Sequence, residues 1–507
     1  MSATSPGVVP MRYVIVVVMV AAVALGTTGL SAQRREAAAG GSGFTRIFEH
    51  LPPFAQPTPH VKAALVQLGR KGGLMDARDD LAAGPIELIV NPALSANNPN
   101  SASHTAGATF MGQFFDHDMT FDTTSRLGKP TNPHTAPNAR QPFFDLDSVY
   151  GDGPAGSPLL YDAGDRAKFR VEHGGLFEDL PRDASGTAII ADPRNDENLM
   201  IAGLQVAFLL FHNRVVDGVR EINPELSSEE AFDEARRLVT LHYQWLLLHE
   251  FLPQFVGAPM VSDVLANGGR FYPAQHTEST IPIEFQMAYR FGHSLVRPSY
   301  RANFTGAGGG QFFAMLFDAG QSDEPTDLRG GVRGSKRFVG WQTFFSFPGF
   351  EHDTRPNKRI DTALSTPLFD LPLGAIASGL PPVSLAERNL LRHLTWQMPS
   401  GQAIATAMGG PVLSDTHFAE LKAIYPPFVS STPLWYYILR EADVLANGET
   451  LGPIGGRLVA EVFIGLLRAD PNSLLNQGTP FVPSLGTVPG EFQMIDLLRG
   501  AGVDQKR

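Results

Sequence analysis

Helical periodicity limits the fold of this chain more than any other feature. Between Glu197 and Glu221 the apolar residues Leu199, Ala202, Val206, Leu209, Leu210 and Val216 recur along one helix face. The segment Ser228 to Phe251 follows a Ser-Ser-Glu-Glu start that supplies an N-cap and an acidic first turn, and it is expected to stop before Pro253. Further helix candidates are Thr105 to Met119, Ile283 to Val296, Ser384 to His393, Gln402 to Met408, Pro433 to Ala446 and Gly455 to Ala469. Strand-like alternation is confined to short runs such as Glu87 to Val90 and Phe338 to Trp341, and a polar stretch rich in Asn and Pro runs up to about Thr105. The expected fold is mainly α with minor β.

With 43% hydrophobic and 18% charged residues, the chain has ample material for a large core. At ~150 residues per domain its length suggests three domains. Its motif-bearing segments nevertheless run from Gln113 to Arg392 without a clean linker, so one large domain from 45 to 500 is expected, with a tail over 501–507. A net charge of −11 without a Lys/Arg cluster excludes a nucleic-acid partner. The absence of cysteine excludes disulfides, thiolate-held haem and cysteine-held iron–sulfur clusters, so any metal must be held by His or oxygen.

Met11-Arg12 precedes an apolar run from Tyr13 to Leu25 and a small, polar stretch to Gln33. This pattern reads as a secretory signal over 1–32, cleaved near Ala32, with a linker over 33–44 and Met11 as an alternative start. The run rises only about 20 Å against a hydrocarbon core of roughly 30 Å. A secreted or periplasmic protein without stable membrane insertion is expected. The alternative is a membrane tether through an uncleaved signal.

Gln113, Asp116 and His117 stand at i, i+3 and i+4, which places an amide, a carboxylate and an imidazole on one helical face. That set can order a small polar ligand and move its proton, though a solvated helix end has the same composition. Asp118 points roughly 100° away. Arg290 and His293 share a second face among apolar and aromatic residues, where a histidine is either a ligand or part of a core.

Taken together, Gly112-Gln113-Phe114-Phe115-Asp116-His117-Asp118 and Glu284 to Val296 resemble the distal and proximal motifs of the animal haem peroxidase family. Asp192-Pro193-Arg194-Asn195-Asp196-Glu197 resembles the segment carrying its distal arginine. Phe143 to Gly151 resembles its calcium loop, and Arg388 to Arg392 the segment whose asparagine bonds the proximal histidine. The resemblance implies a secreted bacterial-type peroxidase domain with haem b between a distal and a proximal helix. It implies His117 as acid–base group, Arg194 as stabiliser of the leaving oxygen and Gln113 as the residue ordering water or halide. It implies His293 as iron ligand and Asn389 as its hydrogen-bond partner, with Arg290 and Arg392 among the haem-binding residues. Calcium would be held by Asp118, Asp145, Asp147 and the main chain near Phe143, while Gln141 stands where relatives offer another oxygen.

In the family two carboxylates form esters with haem methyl groups, and the matching positions are Asp116 and Glu197. The methionine of the family's sulfonium link is replaced by Asn198, so that link is expected to be absent and chloride to be a poor donor. The implied reaction is reduction of hydrogen peroxide, as in a response to oxidative stress, with oxidation of bromide, iodide, thiocyanate or a phenolic donor. Two other functions stay open. One is a fatty-acid haem dioxygenase, whose tyrosine would stand where this chain has Arg290, with Tyr289 one residue out of register. The other is a non-catalytic secreted adhesion protein on the same fold.

Overall fold

Most of the elements are helices capped where the sequence offers a cap. The computed structural model describes residues 43–173, 178–273, 280–305, 310–320, 326–334 and 336–505; the expected signal and nearly all of the linker lie outside them. The main helices are α1 (Pro59–Gly69), α2 (Ala106–Met119), α3 (Leu199–Ile222), α4 (Ser228–Trp245), α5 (Ile283–Tyr289), α6 (Leu385–Thr395), α7 (Leu434–Ala446) and α8 (Pro453–Ala469). Helix α4 begins with a reciprocal capping box between Ser227 and Glu230. Helix α3 is long and apolar enough to cross a membrane, but most of its apolar stretch is packed inside the protein, where α2 and α4 lie against it.

The β structure is limited to short pairs. Among the described residues, β1 (Phe44–Thr45) pairs in parallel with β5 (Ile281–Pro282), and β2 (Asn100–Thr105) pairs antiparallel with β8 (Pro356–Lys358). The antiparallel pairs β3 (Glu172–His173) with β4 (Glu178–Asp179) and β6 (Ser299–Asn303) with β7 (Phe312–Met315) complete the set. The mainly α expectation holds.

Several local expectations are corrected. Glu87–Val90 is a single helical turn that buries Leu88, and the run at Phe338 is irregular, passing into a 3-10 turn at Trp341–Thr343. Four residues of alternation cannot distinguish a strand from a turn with one buried side chain. The polar stretch before Thr105 contains α1, capped by Thr58 and opened by Pro59, with Val61, Leu65 and Leu68 buried. Pro253 does not end the fourth helix. A π-helical turn at Leu246–Phe251 leads into a further helical segment, Leu252–Val256, in whose first turn Pro253 sits and needs no N–H partner.

Most consequential is the segment from Ile283 to Val296. Its α-helix ends at Tyr289 and Arg290–Leu295 continues as a 3-10 helix, in which side chains three apart eclipse. Arg290 and His293 are thereby superposed on one face.

Candidate active site

Helix α2 is buried on nearly every side; Gln113 and Asp116 alone retain partial exposure along its length. Across from them Arg290, Gly292 and His293 are half-buried in an otherwise buried segment. The 3-10 turn packs against α2, and Asp116 acts electrostatically on Arg290. The faces read from the two sequence motifs therefore meet.

On the α2 side, His117 is 4% exposed and its Nδ1 lies 2.8 Å from Asn195 Oδ1, which fixes Nδ1 as the protonated nitrogen. Asn195 is itself oriented by donating from Nδ2 to Gln205 Oε1 at 2.8 Å. Burial, and then Arg194, push the His117 imidazole down to about 4, so the ring is neutral with Nε2 free to accept a proton.

Arg194 sits in the 3-10 turn Pro193–Asp196, which Asp192 caps. Its Nε and Nη2 bond the two Asp192 oxygens at 3.0 and 2.7 Å, and Nη2 also donates to the carbonyl of His117 at 3.0 Å. Burial opposes the charge on Asp192, yet Arg194, His117 and Arg140 together hold that carboxyl down to about 2. The guanidinium also lies 4.2 Å above the Phe121 ring. Glu197 follows the turn and is pushed up to about 8, chiefly by burial.

On the other side, Asn389 from α6 places Nδ2 2.7 Å from His293 Nδ1, while its Oδ1 accepts from Arg290 Nη1 at 3.2 Å. Burial, then Arg290, push the His293 ring down to about 3, leaving it neutral. Trp435 from α7 stands edge-on to His293 at 6.5 Å and donates from Nε1 to the carbonyl of Arg290 at 3.1 Å. Arg392 is committed elsewhere than the shared face: its Nη1 pairs with Asp122 Oδ2 at 2.7 Å and Ser125 Oγ at 3.1 Å, tying α6 to the segment after α2.

Behind α2, one oxygen from each of Asp118, Asp145 and Asp147 falls within 4.8 Å of the others. Asp118 accepts from the Leu146 and Ser148 amides at 3.0 and 3.3 Å and from Ser148 Oγ at 2.9 Å. Leu146, between the two loop aspartates, takes a left-handed φ of 59°. Burial and the neighbouring Asp145 raise both Asp118 and Asp147 above the usual carboxylate range, and Asp147 Oδ1 makes no hydrogen bond but lies 3.5 Å from Arg140 Nη1. The Gln141 amide donates to Asp147 Oδ2 at 3.1 Å, so this residue borders the group through its main chain, and half-buried Phe143 lies in the same loop.

Sequence reasoning missed Asn195, Gln205, Asp192 and Trp435. Asp192 and Asn195 stand within the Arg194 motif and Gln205 two turns further along α3, but their roles depend on which side chain turns toward which.

The family model described as "Animal haem peroxidase" matches residues 122–305, a stretch that contains Arg194, Glu197 and His293. A chorion peroxidase of Aedes aegypti is 29% identical over 175 residues, covering 31% of this chain and 22% of that protein. These matches make the chain similar to the animal haem peroxidase family over a little more than a third of its length. Peroxidase A from Dictyostelium discoideum shares the fold with a TM-score of 0.55 at 15% identity, over 92% of this chain and 91% of that one. So does a fatty acid alpha-dioxygenase from Arabidopsis thaliana, with a TM-score of 0.56 at 15% identity over 92% and 76%. A fold common to peroxidases and dioxygenases does not choose between their chemistries, so the choice rests on side chains. The matched stretches span less than a quarter of the length of the first curated relatives.

Proposed function

We propose that this protein is a member of the animal haem peroxidase family that reduces hydrogen peroxide and oxidises a small donor, with bromide, iodide, thiocyanate or a phenol favoured over chloride. The observation that carries this reading is His117: a neutral imidazole with its proton pinned to Asn195 and its Nε2 free, beside the Arg194–Asp192 pair and opposite His293.

The residues fit haem b. Arg290 Nε is buried without a hydrogen-bond partner, and burial, then Arg392, push the guanidinium down to about 10, a setting that a propionate would relieve. Iron on His293 Nε2 would put the ring proton on Nδ1, so Asn389 would present its oxygen there in place of the amide NH2. Asp116 and Glu197 are the candidates for ester links. Bound haem would supply the iron that takes peroxide and the oxidising equivalents for the donor. His117 would take the proton of the incoming peroxide at Nε2 and return it to the departing oxygen, while the Arg194 guanidinium stabilises charge there. Calcium held by Asp118, Asp145, Asp147 and the Phe143 carbonyl would brace α2 from behind, as a hard cation among oxygens.

The dioxygenase reading is disfavoured by Tyr289, whose buried hydroxyl is spent on the Gly112 carbonyl at 2.8 Å. The decisive experiment is an absorption spectrum of the purified protein reconstituted with haemin. An intense Soret band is expected, lost or strongly shifted in His293→Ala; a well-folded protein that takes up no haemin overturns the proposal.

A further inference from the structure

Gln113 is held from both ends by groups of opposite polarity, and the order of those groups has a fixed origin. The backbone N–H of Ile201 can only donate. It bonds Asn198 Oδ1 at 2.9 Å as Asn198 caps α3, so the amide of Asn198 must turn its Nδ2 the other way. That Nδ2 donates to Gln113 Oε1 at 3.2 Å. The polarity then passes on, since Gln113 must direct its own NH2 toward Glu197, whose Oε2 it meets at 3.2 Å. Asn198 is 5% exposed and Gln113 is half-buried, so water competes poorly for the inner of these bonds. An amide NH2 carries two hydrogens, and one bond to Glu197 leaves the second for a ligand. Turned over, the same side chain would offer a carbonyl oxygen, which repels anions.

We propose that Asn198 is a positioning residue for anion selection: by relaying the polarity of the α3 N-terminus, it turns Gln113 so that an N–H donor faces the site. Asn198 touches no substrate in this scheme and acts through Gln113. The inference rests on the peroxidase reading of the site, and it goes further by assigning anion preference to the residue that stands in place of the family's methionine. A hydrogen bond to a charged group is worth ~1.5–3 kcal/mol, or roughly 10- to 100-fold in affinity, which sets the scale of the effect.

The test uses bromide binding, read from the absorption of the resting haem-loaded protein, together with thermal unfolding. Asn198→Ser keeps a good capping oxygen but is too short to reach Gln113, and is expected to weaken bromide binding about tenfold with the unfolding temperature unchanged. Asn198→Ala removes the cap as well, so it should weaken bromide equally and also lower the unfolding temperature. In a Gln113→Ala background the effect of Asn198→Ser on bromide should vanish, which a merely structural role for Asn198 would not produce. Wild-type bromide affinity in Asn198→Ser, or a loss that persists in full without Gln113, overturns the inference while leaving the peroxidase reading intact. Failure of the wild type to bind haemin overturns both.

Discussion

At the scale of single residues the site is defined by hydrogen-bond polarity. His117 and His293 are both neutral, for the shared reason that burial disfavours imidazolium, but their Nδ1 partners differ: an amide oxygen for His117 and, here, an amide NH2 for His293. Replacing His117 or Arg194 by Ala should leave haem bound and slow the peroxide reaction by ~10²–10³ or more, the scale of losing one preorganised group. Stopped-flow mixing with peroxide checks this, and wild-type rates in either variant would remove that residue from the mechanism. The pH dependence follows from the shift to about 4: the base is present above that value and lost as pH falls through it. The wild-type peroxide rate should therefore be flat from about pH 7 to 5 and fall below, whereas an imidazole at its ordinary ~6.5 would already decline near pH 6.5.

Between elements, the acidic group behind α2 links that helix to the loop around Leu146. Since Asp118 and Asp147 are raised by burial and by Asp145, the folded protein holds protons there that a cation must displace. Calcium should accordingly stabilise more at pH 8 than at pH 5. Saturation at a hundred times the dissociation constant is worth ~2.7 kcal/mol, which for a domain of this size corresponds to an unfolding temperature higher by about 3 °C. Calorimetry with and without chelator measures it, and Asp145→Ala should abolish the difference. Calcium-free protein that is fully active and equally stable would dispose of the site.

For the whole molecule, buried titratable groups set a narrow pH range of stability. Burial holds His117, His212, His242 and His393 at about 4 and His293 at about 3, so the unfolded chain takes up protons first and stability is lost as pH falls from ~6.5 toward 4. Burial has the opposite consequence for carboxyls: Glu250 and Glu441 rise to about 7 and Glu197 to about 8, so their contribution is lost as pH rises from ~4.5 through those values. The two sets offset one another at about pH 5–6.5, where stability without added metal should peak. Urea midpoints across pH 4 to 8 test this, and a midpoint climbing steadily to pH 8 would contradict it.

The sequence alone determined the mainly helical class, because periodic apolar stripes and caps are local. It also determined one polar face, because i, i+3, i+4 spacing on a helix places Gln113, Asp116 and His117 together without any tertiary information. Arg194, His293, Asn389 and the three aspartates were marked only by the resemblance of their segments to the family's motifs. Tertiary structure decided the rest. Only folding brings Asn195 against His117, turns Arg392 to Asp122, and shortens α5 into the 3-10 turn that superposes Arg290 on His293. Likewise Asn198 read from sequence is a missing methionine; its cap on α3 is local, but it becomes an amide donor to Gln113 only when α3 starts beside α2. Spacing along a chain fixes which side chains share a face and can even orient a capping amide, but what the far end of that amide meets depends on partners tens of residues away, as Gln113 is from Asn198.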